Sequence, residues 1–203
     1  FFDIEATRNN LIQFSLIDEF ADDCFVPLTV GGGIKSLDDI DNLLKVGADK
    51  VCINSSSITD IDFLKRAIFK YGSQCIVVSI DYKINYQKQR EVFIHSGNKP
   101  TGIILEDHIE KISKLEPGEI ILTSIDHDGM MKGYDNDCLK KICKNCNIPI
   151  IASGGAGKLE DFFNTITETD VKAISAASIF HFTKITPLDV KRYLNEKGLK
   201  VRL

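Results

Sequence analysis

At 203 residues, 43% of them hydrophobic and with a formal charge of −4, the chain holds ample apolar material for a core, and its acids and bases are mixed along its length. No basic stripe offers itself to a nucleic-acid backbone and no apolar run approaches the roughly 20 residues of a membrane span, so neither nucleic acid nor membrane is expected as a partner. Six cysteines without a secretion signal point to a reducing compartment, and the cytoplasm is the expected location.

The first residues, "FFDIE", read as a buried strand over residues 1–4, so the sequence is expected to begin inside a domain, truncated at its N-terminus. A second apolar run, 28–30, lies in "PLTVGGG" and leads into "SLDDIDNLLKVG", a helix that Ser36 can cap and Gly47 can end. The run 51–53 is followed by "DIDFLKRAIFKYG", helical to Gly72, and the run 75–80 by a long polar insertion. That insertion, Tyr82 to Gly102, holds an alternating stretch at 91–95 and reads as a loop with a small hairpin. Next come "ILEDHIEKISKLEPG", helical, and a strand at 120–125. "DNDCLKKICKNCN" reads as a helix before a strand at 148–152, and "KLEDFFNTITET" as a helix before a strand at 173–177. Cys138, Cys143 and Cys146 have a spacing like part of an iron–sulfur motif, but they fall on that first helix with no suitable fourth ligand, so free, packed thiols are expected.

Short apolar strands alternating with amphipathic helices predict βαβ units and a parallel sheet covered on both faces. Both an open doubly wound sheet and an eight-stranded barrel accommodate the count. An internal repeat chooses between them. "PLTVGGGIKSLDD" followed by "GADKVCINSSSI" parallels "PIIASGGAGKLED" followed by "VKAISAASIF", and more faintly "FFDIEAT" parallels "LTSIDHDG". A duplicated half is a natural way to close an eight-stranded barrel. The expected fold is therefore a single α/β domain over residues 1–203, a (βα)8 TIM barrel of two similar halves lacking its first strand and helix.

In such barrels the strand C-termini carry the chemistry. Those tips bear Asp3, Gly31 to Gly33, Asn54 and Ser55, Asp81, Asp126 and Asp128, Ser153 to Gly155, and Ala177 and Ser178. Glycine turns let backbone N–H groups approach an anion, and each half supplies such a turn plus a hydroxyl-bearing tip. Two phosphates held on opposite sides of one mouth are the expectation. Asp81, ending "CIVVSID", suits a general acid or base. Asp126, His127 and Asp128 are adjacent on an extended segment and cannot share one face, so no metal is expected there, and none elsewhere. Lys50 and Glu119 open their strands and should meet in an ion pair at the opposite, lower end of the barrel. His181, in "SIFHF", is expected to be a packed histidine.

"PLTVGGGI", "GADKVCIN", "YGSQCIVVSID", "GEIILTSIDHDGMMKGYD", "PIIASGGAGKLEDF" and "AASIFHF" together resemble, in order, the cyclase subunits of imidazole glycerol phosphate synthases of histidine biosynthesis, over essentially the whole chain. The resemblance implies a lyase that needs no cofactor. It would use ammonia to convert phosphoribulosyl-formimino-AICAR phosphate to imidazole glycerol phosphate and AICAR. It also implies that Asp81 is one of two catalytic aspartates, the other belonging to a "CLDV"-like motif that these residues do not contain. Gly33, Asn54 and Ser55 would bind one phosphate, and Asp128, Gly129, Gly155, Ala177 and Ser178 the other. Lys50 and Glu119 match an ammonia gate and Asp49 a residue facing a separate glutaminase subunit, the partner of a heterodimer. Two departures, "DIEAT" and "IDYKI", keep open a paralogous barrel supplying ammonia for amidation of cell-surface sugars, and the missing first strand with its aspartate keeps open a non-catalytic scaffold that docks a glutaminase.

Overall fold

The computed structural model describes residues 1–3, 6 and 11–202. Six parallel strands run in sequential order, β1 (Thr29–Gly31), β2 (Lys50–Ile53), β3 (Ile76–Ile84), β6 (Glu119–Ser124), β7 (Ile150–Ser153) and β8 (Ala173–Ser175). Phe2 adds a seventh parallel position by bridging to Gly31, and Asp3 N–H donates to Gly31 O at 2.8 Å. The rest of the strand expected over residues 1–4 lies outside the described residues. A strand order that never reverses is the order of a (βα) barrel, whereas a doubly wound sheet must reverse at its switch point. Among the described residues β8 and the Phe2 segment do not pair. The sheet curls: Lys50 on β2 reaches over β3 to Glu119 on β6, Nζ to Oε1 2.7 Å.

Helices follow the strands: α1 (Phe14–Asp22), α2 (Leu37–Lys45), α3 (Ser55–Thr59), α4 (Ile61–Tyr71), α5 (Leu105–Ser113), α6 (Asn136–Asn145), α7 (Leu159–Glu168), α8 (Ser178–Phe182) and α9 (Pro187–Glu196). None of the described helices is long and apolar enough to cross a membrane. α1 and α9 fall after the first and last strand candidates, where a helix is expected but its bounds are not marked; α9 starts from Thr186, which caps it with Asp189 in a reciprocal box, and Pro187, which suits a first helical position. The two halves repeat their local chemistry. Asp39 Oδ2 accepts from the backbone N–H groups of Lys35 and Ser36, and Asp161 Oδ2 from those of Gly157 and Lys158, all at 2.9 to 3.0 Å. The same carboxylate thus folds the chain from glycine turn into helix in each half, and its charge favours the helix N-terminus.

The outer faces of the strands pack against the helices in one contiguous apolar core that includes Ile40, Leu43, Phe63, Leu64, Ile76, Ile80, Ile120 and Ile150. A smaller cluster, Cys52, Val77 and Ile121 with Ile151, fills the inner side of the curl. The cysteines are free, as expected; Cys138 and Cys146 are buried beside Ile142 in the outer core.

β3 runs four residues past the expected end, because residues 81–84 gain a second partner. The insertion after it folds as a hairpin of β4 (Arg90–Ile94) and β5 (Lys99–Ile104), and β4 pairs antiparallel with that extension. The expectation for His181 is corrected. It is exposed, since α8 buries only Ile179 and turns His181 away from the core.

His108 on α5 is 3% exposed, its Nε2 has no hydrogen-bond partner among the described residues, and burial holds its pKa down at about 4. A histidine that charges more readily unfolded than folded leaves stability intact above the unfolded pKa, and stability falls as pH drops from about 6.5 towards 4. His108→Leu is expected to be more stable than the parent at pH 4.5 relative to pH 8 by about 2 kcal/mol, measured by denaturant unfolding at both pH values.

Candidate active site

Parallel strands with short connections deliver every strand C-terminus to one rim. Around this mouth each glycine turn is closely approached by neighbouring backbone, at positions one residue apart in the repeat: Gly32 in the first half and Gly155, the counterpart of Gly33, in the second. Gly32 and Gly155 both adopt left-handed backbone, φ 116° and 123°, and a Cβ on either would lie 2.2 Å from a carbonyl oxygen of the preceding loop, that of Asp3 or of Gly133. Only glycine permits that approach. Each turn is followed by a strand whose tip opens a five-residue helix, α3 from Ser55 and α8 from Ser178. Ser56 Oγ donates to Ile34 O at 2.7 Å, which ties the Asn54–Ser55 tip to the turn containing Gly33.

In the second half the equivalent elements line a small concavity. Asp128, Ser153, Gly154, Gly155, Ala156, Ser175, Ala176, Ala177 and Ser178 surround it. The structure therefore brings together Asp128, Gly155, Ala177 and Ser178, and in the other half Gly33, Asn54 and Ser55. Gly129 stands in the turn beyond Asp128 and does not line the concavity. Ser153 and Ser175 add hydroxyls that a phosphate could use. Ser175 was missed, although it shares a face with Ala177 at the two-residue period of a strand.

Asp81 lies between the halves. Its Oδ2 accepts from Asn54 Nδ2 at 2.9 Å, and Thr123, directly opposite on β6, also hydrogen-bonds it. Burial is the largest influence on this carboxyl and raises its pKa to about 6, with Asp128 adding to the rise and the Asn54 and Thr123 hydrogen bonds opposing it. A carboxyl that titrates near neutrality can give and take a proton in one reaction cycle. Thr123 went unnoticed because its role depends on β6 lying beside β3.

The three polar residues after β6 lie in a turn, where His127 N–H and Asp128 N–H both donate to Ser124 O, and not on the extended segment expected; they nevertheless take separate partners. Asp126 Oδ2 accepts from Ile84 N–H at 2.9 Å, His127 Nδ1 meets Ser124 Oγ at 2.8 Å, and Asp128 faces the concavity. Asp3 is at the rim too: its Oδ1 accepts from Ala6 N–H at 2.9 Å, while its buried Oδ2 has no partner among the described residues.

At the opposite end, Lys50 and Glu119 form the expected ion pair, each side chain 28% exposed. Asp49 is exposed beside it, its Oδ2 accepting from Leu28 N–H at 2.7 Å. Top and bottom of the sheet are thus chemically distinct, with anion-ready turns at one end and paired charges at the other.

Residues 1–186 match the family model described as histidine biosynthesis protein. The chain is 45% identical to imidazole glycerol phosphate synthase subunit HisF of Natranaerobius thermophilus, across 100% of this chain and 81% of that protein. It is 47% identical to the same-named subunit of Dictyoglomus turgidum, across 99% of this chain and 80% of that one. The corresponding subunit of Dehalococcoides mccartyi strain BAV1 is 44% identical, across 100% and 80%.

The Asn54 amide stabilises the charged form of Asp81, so its loss should raise the carboxyl's titration midpoint. Asn54→Leu, which keeps the volume and removes the donor, is expected to move that midpoint above the native value of about 6, as read by carbon-13 NMR of the Asp81 carboxyl.

Proposed function

This chain belongs to the histidine biosynthesis protein family, and from that membership and the geometry of its mouth we propose how it works as the cyclase subunit of imidazole glycerol phosphate synthase, a lyase of histidine biosynthesis. The observation that carries the reading is Asp81, a carboxyl titrating near neutrality midway between two equivalent glycine-turn sites. We read residues 1–203 as one barrel domain around that site.

The substrate would be bound as a bisphosphate. One phosphate would rest on the turn at Gly33 with Asn54 and Ser55, the other in the concavity of Gly155, Ala177 and Ser178, where backbone N–H groups and hydroxyls are the donors. Asp128 and Gly129 would shape that second seat through backbone, since a carboxylate cannot itself attract a phosphate. With both ends held, the reactive middle of the substrate is presented to Asp81, and fixed placement of this kind lowers the barrier by restricting the reacting groups beforehand.

Ammonia would attack the ribulosyl ketone, forming a carbon–nitrogen bond and, after loss of water, an imine. Its nitrogen then closes the imidazole ring on the formimino carbon, the bond from that carbon to the AICAR nitrogen breaks, and AICAR leaves as an amine. Overall, one bisphosphate and one ammonia give imidazole glycerol phosphate, AICAR and one water. Asp81, part protonated near neutrality, would donate to the departing groups and recover the proton as the ring forms.

The word subunit in the relatives' names supports a partner chain, and a glutaminase delivering ammonia at the lower end is the partner that fits. There Lys50 and Glu119 would act as a gate and Asp49 as a contact. The inner-face cluster of Cys52, Val77 and Ile121 gives an apolar route from that gate towards Asp81, suited to neutral ammonia rather than ammonium. The curated relatives do not favour the sugar-amidation or scaffold readings.

Two measurements test this. With ammonium supplied directly, the protein carrying this chain behind a first strand that holds the second aspartate should consume the bisphosphate, and Asp81→Asn in it should lose at least about a hundredfold in kcat with unchanged circular dichroism; absence of turnover by that parent would overturn the cyclase reading. Lys50→Ala should leave ammonium-driven turnover within a few-fold while changing glutamine-driven turnover in the presence of the glutaminase subunit, and equal effects on both would remove the gate.

A further inference from the structure

The antiparallel ladder between β3 and β4 sets Phe93 directly across from Asp81. Directly opposed residues in such a ladder carry their side chains on the same face, about 5 Å apart at Cβ. The neighbouring pair confirms the sense: Tyr82 and Val92 are buried on the outer face, and Tyr82 Oη donates to Asp135 at the start of α6. Asp81 and Phe93 therefore both face the mouth. Phe93 is half-buried there, a large apolar side chain on a rim of small and polar residues.

The hairpin that carries Phe93 is held at both ends. At its root, Ile84 N–H donates to Asp126, and the Arg90 guanidinium lies 3.5 Å from the Asp135 carboxylate. At its tip, His95 N–H donates to Ser55 Oγ at 3.1 Å, and a Cβ on Gly97 would meet Ile125 Cδ1 at 3.2 Å. Ser55 follows β2 and Ile125 follows β6, the two strands flanking β3. The tip thus spans the mouth on either side of Asp81.

We propose that Phe93 is a positioning residue for Asp81, its ring held by the β4–β5 hairpin against the solvent side of the carboxyl so that water is kept from it during proton transfer. The titratable groups on this face around Asp81 are Cys52 on β2, Asp128 after β6 and, two residues along the β3–β4 ladder, the directly opposed Lys83 and Glu91, of which Lys83 reaches to 4.0 Å from Asp126. The hairpin's nearby charges are engaged elsewhere: Arg90 turns to Asp135, and Glu91, which shares the face of Phe93, accepts from Gly102 N–H and Asn85 Nδ2. Burial, the largest influence on Asp81, therefore has an apolar side chain to account for it on the open side. A carboxyl against apolar surface is harder to ionise. This inference rests on Asp81 being the proton-transfer group of the proposed function.

The test is a carbon-13 NMR titration of the Asp81 carboxyl in the full chain, assigned by its loss in Asp81→Asn. Phe93→Ala and the similarly sized but polar Phe93→Gln are expected to lower the midpoint by about one pH unit, and Phe93→Leu to hold it within a few tenths. The acidic limb of kcat/KM should move to lower pH by the same amount in the first two variants. An unmoved midpoint in both Phe93→Ala and Phe93→Gln, with native circular dichroism, overturns the proposal. A midpoint that moves in a protein that carries both aspartates and still cannot consume the bisphosphate upholds Phe93 and instead overturns the cyclase reading.

Discussion

Close backbone approach at the strand-to-helix turns is the constraint on which the mouth of this barrel depends. At Gly32 and Gly155 a carbonyl from the preceding loop occupies the space where a Cβ would stand. Each loop is thereby pressed against the next turn. The aspartate three residues into each following helix, Asp39 or Asp161, accepts from the N–H groups just before that helix and fixes its direction. Two anion seats of similar construction follow from that pairing, with Asp81 on the strand between them.

What distinguishes Asp81 from the other acids of the rim is its surroundings rather than its position. Asp126 accepts from the backbone of the hairpin root, and Asp128 is exposed at the edge of the concavity. Asp81 alone combines two polar partners with burial strong enough to outweigh them. The insertion after β3, which interrupts the βα rhythm of the chain, is where that burial comes from. Its hairpin continues the sheet above β2 and lays Phe93 alongside the carboxyl. The opposite end shows the reverse arrangement, in which Lys50 and Glu119 neutralise one another on the inner side of the curl.

Much of this was legible before any coordinates. Apolar runs bounded by glycine and proline located the strands because a strand buried on both faces cannot alternate. The repeated "PLTVGGG" and "PIIASGG" announced two like turns, and the alternating 91–95 stretch announced the hairpin. The site residues taken from strand tips were legible for the same reason, since parallel topology sends every tip to one rim. Thr123, Ser175 and Phe93 were not. Each acts through a neighbour on another strand, and nothing local marks it.

His181 shows the limit from the other side. In "SIFHF" an aromatic-rich run suggested packing, yet the helix there is one short turn that buries Ile179 and exposes His181. The sequence by itself determined the βα alternation, the duplicated halves and the acids at the strand ends, because these follow from local periodicity and the conformational demands of glycine. The tertiary structure alone decided which acid is dry, which side chains meet across the strands, and that Phe93 lies opposite Asp81, because register and curvature set those distances and no residue encodes them in isolation.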